Sequence, residues 1–283
     1  MTVIVERPAV SALSGALAPA DLTALASAVQ ALERTSFASR LSALFGRHVG
    51  MAGRLLPARV SALASRAAAK ALDRAMRVAL RTLTHRATRG GPMLHRALAG
   101  ASGALGGALG LPGLALELPL STAVMLRGIA DIARAEGEDL QNPEAALACL
   151  QVFALGGQPA GEDALEGGYF AMRAFLAKSV SEAARHIAGQ SVVSEAAPVL
   201  VRLTSQIATR FGLVVTQKVA AQAVPVIGAA GGAAVNVAFM NHFLSLAQGH
   251  FTVRRLERVY GPDLVRREYE RLASDPAAAR GAS

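Results

Sequence analysis

Four ionisable side chains interrupt apolar parts of the sequence and are the first candidates for chemistry. They are Glu117, Asp131, His242 and His250. Carboxylates and imidazoles together can hold a metal ion or transfer protons. The same residues can instead form a network of ion pairs and hydrogen bonds that fixes the register of packed helices, because a buried carboxylate needs a partner. We predict the network and keep a metal or acid–base site as the alternative.

Established catalytic motifs are lacking. The sequence contains no GxSxG, no HExxH and no P-loop, which excludes the enzyme classes that those motifs define. Glu136, Glu138 and Asp139 do not alternate as an EF-hand loop requires, so we predict a solvated acidic turn. The single cysteine, Cys149, excludes an internal disulfide, and its apolar neighbours predict a small buried residue. We therefore predict no metal ion and no cofactor.

A long basic amphipathic helix is predicted over about residues 57–88. Its cations recur at spacings of three, four or seven and share one face, which comprises Arg59, Arg66, Lys70, Arg74, Arg77, Arg81 and His85. The opposite side carries Leu72, Met76, Leu80 and Leu83. This pattern is typical of an ordinary surface helix, or of a helix that lies on anionic lipid with its cations at the headgroups. Nucleic acid is not a predicted partner, since no aromatic residue lies between Phe45 and Phe153, a range that contains the whole basic helix.

Two uncharged stretches interrupted by Gly and Pro form the centre of the predicted fold. The first runs from Ala97 to Leu116 and contains six glycines, and the second runs from Val219 to Gly249 if histidine is neutral. Close helix packing is predicted at Gly103, Gly106, Gly107, Gly110, Gly228, Gly231 and Gly232. Each stretch is expected to form a helical hairpin, either packed inside a soluble bundle or inserted into a membrane.

Capping signals predict the remaining helices. Asp21 is the expected cap of a short first helix, and Ser121 or Thr122 that of a helix over about 122–136. Asn142-Pro143-Glu144 predicts the start of a helix that runs to about Leu155. Further helices are expected from Asp163 to about Ile187, over 194–217, from about Gly231 to Ala247, and after a cap at Thr252.

Charge is unevenly distributed along a chain of net charge +9. Residues 34–96 carry a net charge of +12 and residues 117–170 a net charge of −7. The basic segment could attract the acidic one or bind an anionic lipid surface. The N-terminal MTVIVERPAV lacks the basic start and apolar core of a secretory signal. We therefore expect a cytoplasmic protein, peripheral to or inserted in the inner membrane.

Six blocks of sequence, in order, resemble the EcsC family of bacterial proteins. They are Leu56-Pro57 at the start of the basic helix, LELPLSTAVMLRGIADIARAEGEDL (116–140), LQVFALGG (150–157), GGYFAMR (167–173), PVIGAAGGAAVNVAFMNHF (225–243) and GHFTVRRLERVYG (249–261). The resemblance covers about residues 36–272. It implies a helical, membrane-associated protein and brings no particular biochemical activity with it.

Taken together, these features predict an all-α, multi-helix bundle with two Gly/Pro-interrupted apolar helical hairpins at its centre and a long basic amphipathic N-terminal helix. Residues 1–35 are predicted as a variable N-terminal tail with a short helix, 36–272 as the helical domain and 273–283 as a frayed C-terminus. The predicted function is non-enzymatic: the protein would bind lipid or another apolar ligand, or scaffold a membrane complex, at the cytoplasmic face, with oligomers allowed. The alternatives are a lipid- or peptide-directed hydrolase using Glu117, Asp131, His242 and His250, and a soluble oligomerisation module.

Overall fold

The structure is a computed structural model that describes residues 16–46, 57–82, 117–157, 168–189, 197–222 and 228–275. Every regular element in these ranges is an α-helix, so the all-α prediction is confirmed. The nine described helices are α1 (Pro19–Glu33), α2 (Phe37–Phe45), α3 (Ala58–Thr82), α4 (117–135), α5 (Pro143–Leu155), α6 (Tyr169–Ala188), α7 (Pro198–Gln222), α8 (Gly228–Tyr260) and α9 (Pro262–Ser274).

Helix α5 lies at the centre of the bundle. It begins as the sequence predicts, because the Asn142 side chain accepts a hydrogen bond from the Glu144 backbone N–H at 2.9 Å and Pro143 occupies the first turn. Every residue from Ala145 to Leu155 is buried, so this helix has no solvent-facing side beyond its first turn. A helix that is apolar all round belongs in the interior.

Five phenylalanines from four helices form the middle of the core. Phe37 of α2, Phe153 of α5, Phe211 of α7, and Phe239 and Phe243 of α8 lie with neighbouring ring centroids 5.0–6.0 Å apart. All five side chains are buried, and several pairs meet edge to face, the arrangement that aromatic rings prefer. This cluster joins α2, α5, α7 and α8 into one unit.

Helix α8 is one continuous helix of 33 residues, which differs from the expected break near Gly249 and cap at Thr252. Gly249 lies in its interior because α1 crosses there: a Cβ at this position would lie 2.9 Å from Leu32 Cγ and 3.2 Å from the Ala28 carbonyl oxygen. Thr252 is buried in the same helix, and the chain breaks only at Gly261, whose φ of 87° suits glycine.

Two other helix starts also differ from the expected ones. Helix α4 is already helical at residue 117, so Ser121 and Thr122 are buried inside it and cap nothing. Helix α1 begins at Pro19, and Asp21 lies in its first turn without a capping hydrogen bond. Asp21 instead forms an ion pair with Arg255 of α8 at 3.0 Å. Helix α1 thereby packs on α8 through buried Leu25, Val29 and Leu32.

Several predictions fall outside the residues that the structure describes. These are the first apolar hairpin with Gly103, Gly106, Gly107 and Gly110, and the end of the basic helix from Leu83 onward. Gly228, Gly231 and Gly232 lie in the first turns of α8, and Gly232 is buried. The second apolar stretch is therefore described in two parts, residues 219–222 at the end of α7 and Gly228 to Gly249 within α8.

Candidate functional site

A row of exposed cations runs along α3. Arg59, Arg66, Lys70 and Arg74 are all exposed, and Leu63 lies among them with 43% of its surface accessible. We call these five residues the basic stripe. Arg77 is half-buried at the edge of the stripe, and the side chain of Arg81 is outside the described part of the chain. Cations grouped on one exposed face in this way attract anionic lipid headgroups.

The opposite face of α3 is fully used in packing. Its buried residues are mainly alanines, with Leu72 and Met76 as the sequence predicts: Ala64, Ala67, Ala68, Ala71, Ala75 and Ala79. Small side chains allow α3 to lie close to α7, which it contacts most extensively, and to α5. Packing therefore fixes which side of α3 faces solvent, and that side is the basic stripe.

The acidic turn after α4 is paired with arginines of α8, which corrects the prediction of a solvated turn for Glu136 and Glu138. Glu138 accepts hydrogen bonds from Arg254 at 2.8 and 3.1 Å and also pairs with Arg258. Glu136 accepts one from Arg255 at 2.8 Å. Burial raises the pKa of Glu138, but the two arginines outweigh burial and hold it below its usual value. Asp139 is exposed and accepts a hydrogen bond from the Gln141 backbone N–H.

Glu117 pairs with Lys218 of α7 at 2.5 Å, rather than with the nearby Arg127. Both side chains are almost completely buried, and the Lys218 ammonium also lies 4.7 Å from the centre of the Phe239 ring. Burial lowers the pKa of Lys218, against the effect of the Glu117 charge. The pair ties α4, α7 and α8 together in the interior.

His250 belongs to a buried polar cluster between α6, α8 and α9. Its Nδ1 lies 2.9 Å from the Tyr169 hydroxyl, which also accepts from Arg173, and Arg173 forms a two-pronged ion pair with Glu257 at 2.7 and 3.0 Å. Burial lowers the pKa of His250 and raises that of Tyr169, so both rings are neutral at pH 7.

Sequence reasoning missed Tyr169, Arg173 and Glu257. Each lies within the blocks GGYFAMR and GHFTVRRLERVYG, where a tyrosine, an arginine and a glutamate recur among apolar residues. Their pairing could not be read from spacing, because Arg173 and Glu257 are 84 residues apart. Glu33 of α1 joins the cluster by accepting a hydrogen bond from Tyr269 at 2.8 Å and one from the Tyr169 backbone N–H at 3.0 Å.

The four candidate catalytic residues have separate partners. Asp131 pairs with Arg134 at 3.0 Å on its own helix, and His242 packs against the rings of Phe37 and Phe243. His242 and His250 are eight residues apart on one helix, which separates them by about 12 Å along its axis. Within the described ranges, no group of three or more His, Cys, Asp or Glu side chains could hold a metal ion. Cys149 is buried as predicted, and burial raises its pKa to about 12.

The described helices include none that combines the length and apolar character needed to cross a bilayer. No curated protein and no solved structure matches the chain. The sequence profile of the EcsC protein family matches residues 58–256, from the start of α3 to near the end of α8. That match covers more than two thirds of the 283 residues. The chain therefore belongs to the EcsC protein family.

Proposed function

We propose that the protein is a non-enzymatic, membrane-associated protein that binds anionic lipid at the cytoplasmic face of the membrane through the basic stripe of α3. The observation that supports this function is the stripe itself, with four exposed cations and Leu63 on one face of a helix whose other face is packed. Scaffolding of a membrane complex would use the same surface.

Carboxylates of the acidic turn are neutralised inside the molecule, and this is a second reason to propose lipid binding by the stripe. The acidic turn carries the chain's densest group of carboxylates, and Glu136 and Glu138 are paired with Arg254, Arg255 and Arg258 of α8. Within the described ranges the four cations of the stripe have no such carboxylate partner, so they are available to an external anionic surface. Each Lys or Arg near such a surface contributes about 1 kcal/mol, and the exposed Asp73 on the same face of α3 opposes one of the four cations, so the stripe would contribute about 3 kcal/mol.

Vesicle flotation tests this function. The purified protein is mixed with vesicles of phosphatidylglycerol and phosphatidylcholine, or of phosphatidylcholine alone, and is spun through a density gradient. We expect flotation with the anionic vesicles and none with the neutral ones. Raising the salt from 0.1 M to 1 M shortens the Debye length from about 10 Å to about 3 Å and should release the protein.

Two variants with equal charge change make the test specific. The first replaces Arg59, Arg66, Lys70 and Arg74 with Gln, and the control replaces the exposed cations Arg127, Lys178, Arg185 and Arg267 with Gln. We expect the stripe variant to bind anionic vesicles at least about tenfold more weakly and the control to bind nearly as the wild type does. Equal losses of vesicle binding in the two variants would show that only the overall positive charge matters, and not the stripe. A wild-type protein that stays at the bottom with both vesicle types would instead support a soluble oligomerisation module.

A further inference from the structure

Arg40 is a cation that the described residues leave without a carboxylate. It lies in the short helix α2, half-buried, and its Nε is buried without a hydrogen-bond partner in the described part of the chain. Burial lowers the pKa of Arg40. A buried guanidinium N–H without an acceptor is unfavourable, because it has lost water and gained nothing in exchange. An acceptor at this point would remove that cost.

His242 packs against the same helix, because its ring centroid lies 5.6 Å from that of Phe37, one turn before Arg40, and its ring nitrogens also lack hydrogen-bond partners. Only 2% of its surface is accessible, and neither ring nitrogen makes a hydrogen bond of normal geometry to a described residue. Burial and the charge of Arg40 lower its pKa to about 3 and outweigh the opposite effect of the Gly156 backbone, so the ring is neutral and one nitrogen carries a proton to donate. The backbone of Gly156 approaches closely: a Cβ there would lie 3.4 Å from His242 Nε2.

The surroundings of the two side chains are apolar on the inner side, around His242, and exposed on the outer side of α2. The rings of Phe37 and Phe243 flank His242, with centroids 5.6 and 5.3 Å from that of the imidazole. On α2, Leu44 follows Arg40 by one turn and is 57% exposed. An anionic group with an apolar remainder would thus meet Arg40 with its charge and Leu44 with its apolar part.

We propose that Arg40 and His242 bind a phosphate group at the junction of α2, α5 and α8. A phosphate carries a negative charge to meet the guanidinium and has several oxygens, so it can accept hydrogen bonds from donors on two different helices. The inference deepens the proposed lipid binding by naming a headgroup site, and rests on it only for the source of the phosphate. A free phosphate compound would offer the same chemistry.

Histidine NMR tests the site directly. The full chain is labelled with ¹³C-histidine, and the His242 imidazole signal is assigned by its loss in His242→Asn. Two probes are titrated at pH 7: inorganic phosphate, and dihexanoyl phosphatidylglycerol below its micelle concentration. We expect the His242 signal to shift and saturate. In Arg40→Gln the apparent affinity should fall roughly tenfold or more, and in Arg40→Lys less, since charge remains without the planar fork.

The control variant is Arg127→Gln, which removes an exposed cation from α4 and should bind as the wild type does. Saturation with both probes identifies a general phosphate site, and saturation with the lipid alone identifies a headgroup site; both support the inference. No shift with either probe, or equal affinities for Arg40→Gln and Arg127→Gln, would overturn it. The stripe variant should lose vesicle flotation yet keep the His242 shift with any probe that shifts the wild type, so the two proposals fail separately.

Discussion

Lys218 is charged and has 0% of its side-chain surface exposed, a position that costs free energy unless the charge has a partner. The Phe239 ring, 4.7 Å from the ammonium, offsets part of that cost through a cation–π contact. The Glu117 carboxylate at 2.5 Å makes that position tolerable. The sequence could indicate that Glu117 needs a partner, since it interrupts an apolar run. The sequence could not identify Lys218 as that partner, because Lys218 is 101 residues away along the chain and nothing in the sequence shows which helices pack together.

We expect Lys218→Met to destabilise the fold by about 3–5 kcal/mol, because it leaves the Glu117 carboxylate buried without a counter-charge. The double substitution Glu117→Met with Lys218→Met removes both charges and keeps a similar volume, and should recover most of that loss. The measurement is the free energy of unfolding in urea for the wild type, Lys218→Met, Glu117→Met and the double variant. If the loss of stability in the double variant equalled the sum of the losses in the two single variants, Glu117 and Lys218 would not stabilise each other.

At the scale of helices, capping signals predicted the start of α5 correctly but placed the starts of α1 and α4 wrongly. Asn142-Pro143 specifies the start of α5 through a side-chain cap and a residue that fits only the first turn. The helix break predicted at Gly249 and Thr252 is wrong. Gly249 allows α1 to pack closely on α8, and Thr252 lies within the continuous helix α8. Capping signals report local chemistry, whereas the reason for Gly249 lies in a helix more than 200 residues earlier.

Gly249→Ala and Gly212→Ala form a matched pair of substitutions within helices. At Gly249 the added Cβ would lie 2.9 Å from Leu32 Cγ and 3.2 Å from a backbone oxygen, so we expect a loss of about 1–3 kcal/mol from overpacking. At Gly212 the nearest atom would be Ser65 Oγ at 3.4 Å, so the gain in helix propensity of up to about 1 kcal/mol should appear. Thermal unfolding of both variants measures the difference. Equal midpoints of thermal unfolding for the two variants would mean that α1 does not pack closely against α8 at Gly249.

For the whole molecule, composition and charge predicted the helical class and the basic surface of α3, because both depend on patterns within one helix. Which acids neutralise which bases depends on the fold. The acidic turn meets Arg254, Arg255 and Arg258 of α8, which the net charges of the two segments did not reveal. The cluster of Tyr169 and His250 was likewise hidden, since its members come from separate helices and no motif links them.

Two neutral buried histidines make the stability of the whole molecule depend on pH. The pKa of His242 is lowered to about 3 and that of His250 lies well below its usual value, while both should titrate near 6.5 in the unfolded chain. The unfolded chain therefore binds two protons more than the folded one in acid below about pH 6.5. Stability is complete above that pH and falls as the pH drops, by about 1.4 kcal/mol per pH unit for each histidine.

Urea unfolding at pH 7.5, 6.5 and 5.5, in buffers without phosphate, measures this slope. We expect the free energy of unfolding of the wild type to decrease as the pH falls. In His242→Asn the slope of that decrease should be smaller by about 1.4 kcal/mol per pH unit, the contribution of one histidine. The pairing of Glu138 with Arg254 and Arg258 adds a loss of the same sign only below about pH 4.5, outside this window. A free energy that stays constant from pH 6.5 to 5.5 would mean that the histidines accept protons in the folded protein, and the closed packing around His242 and His250 would then be wrong.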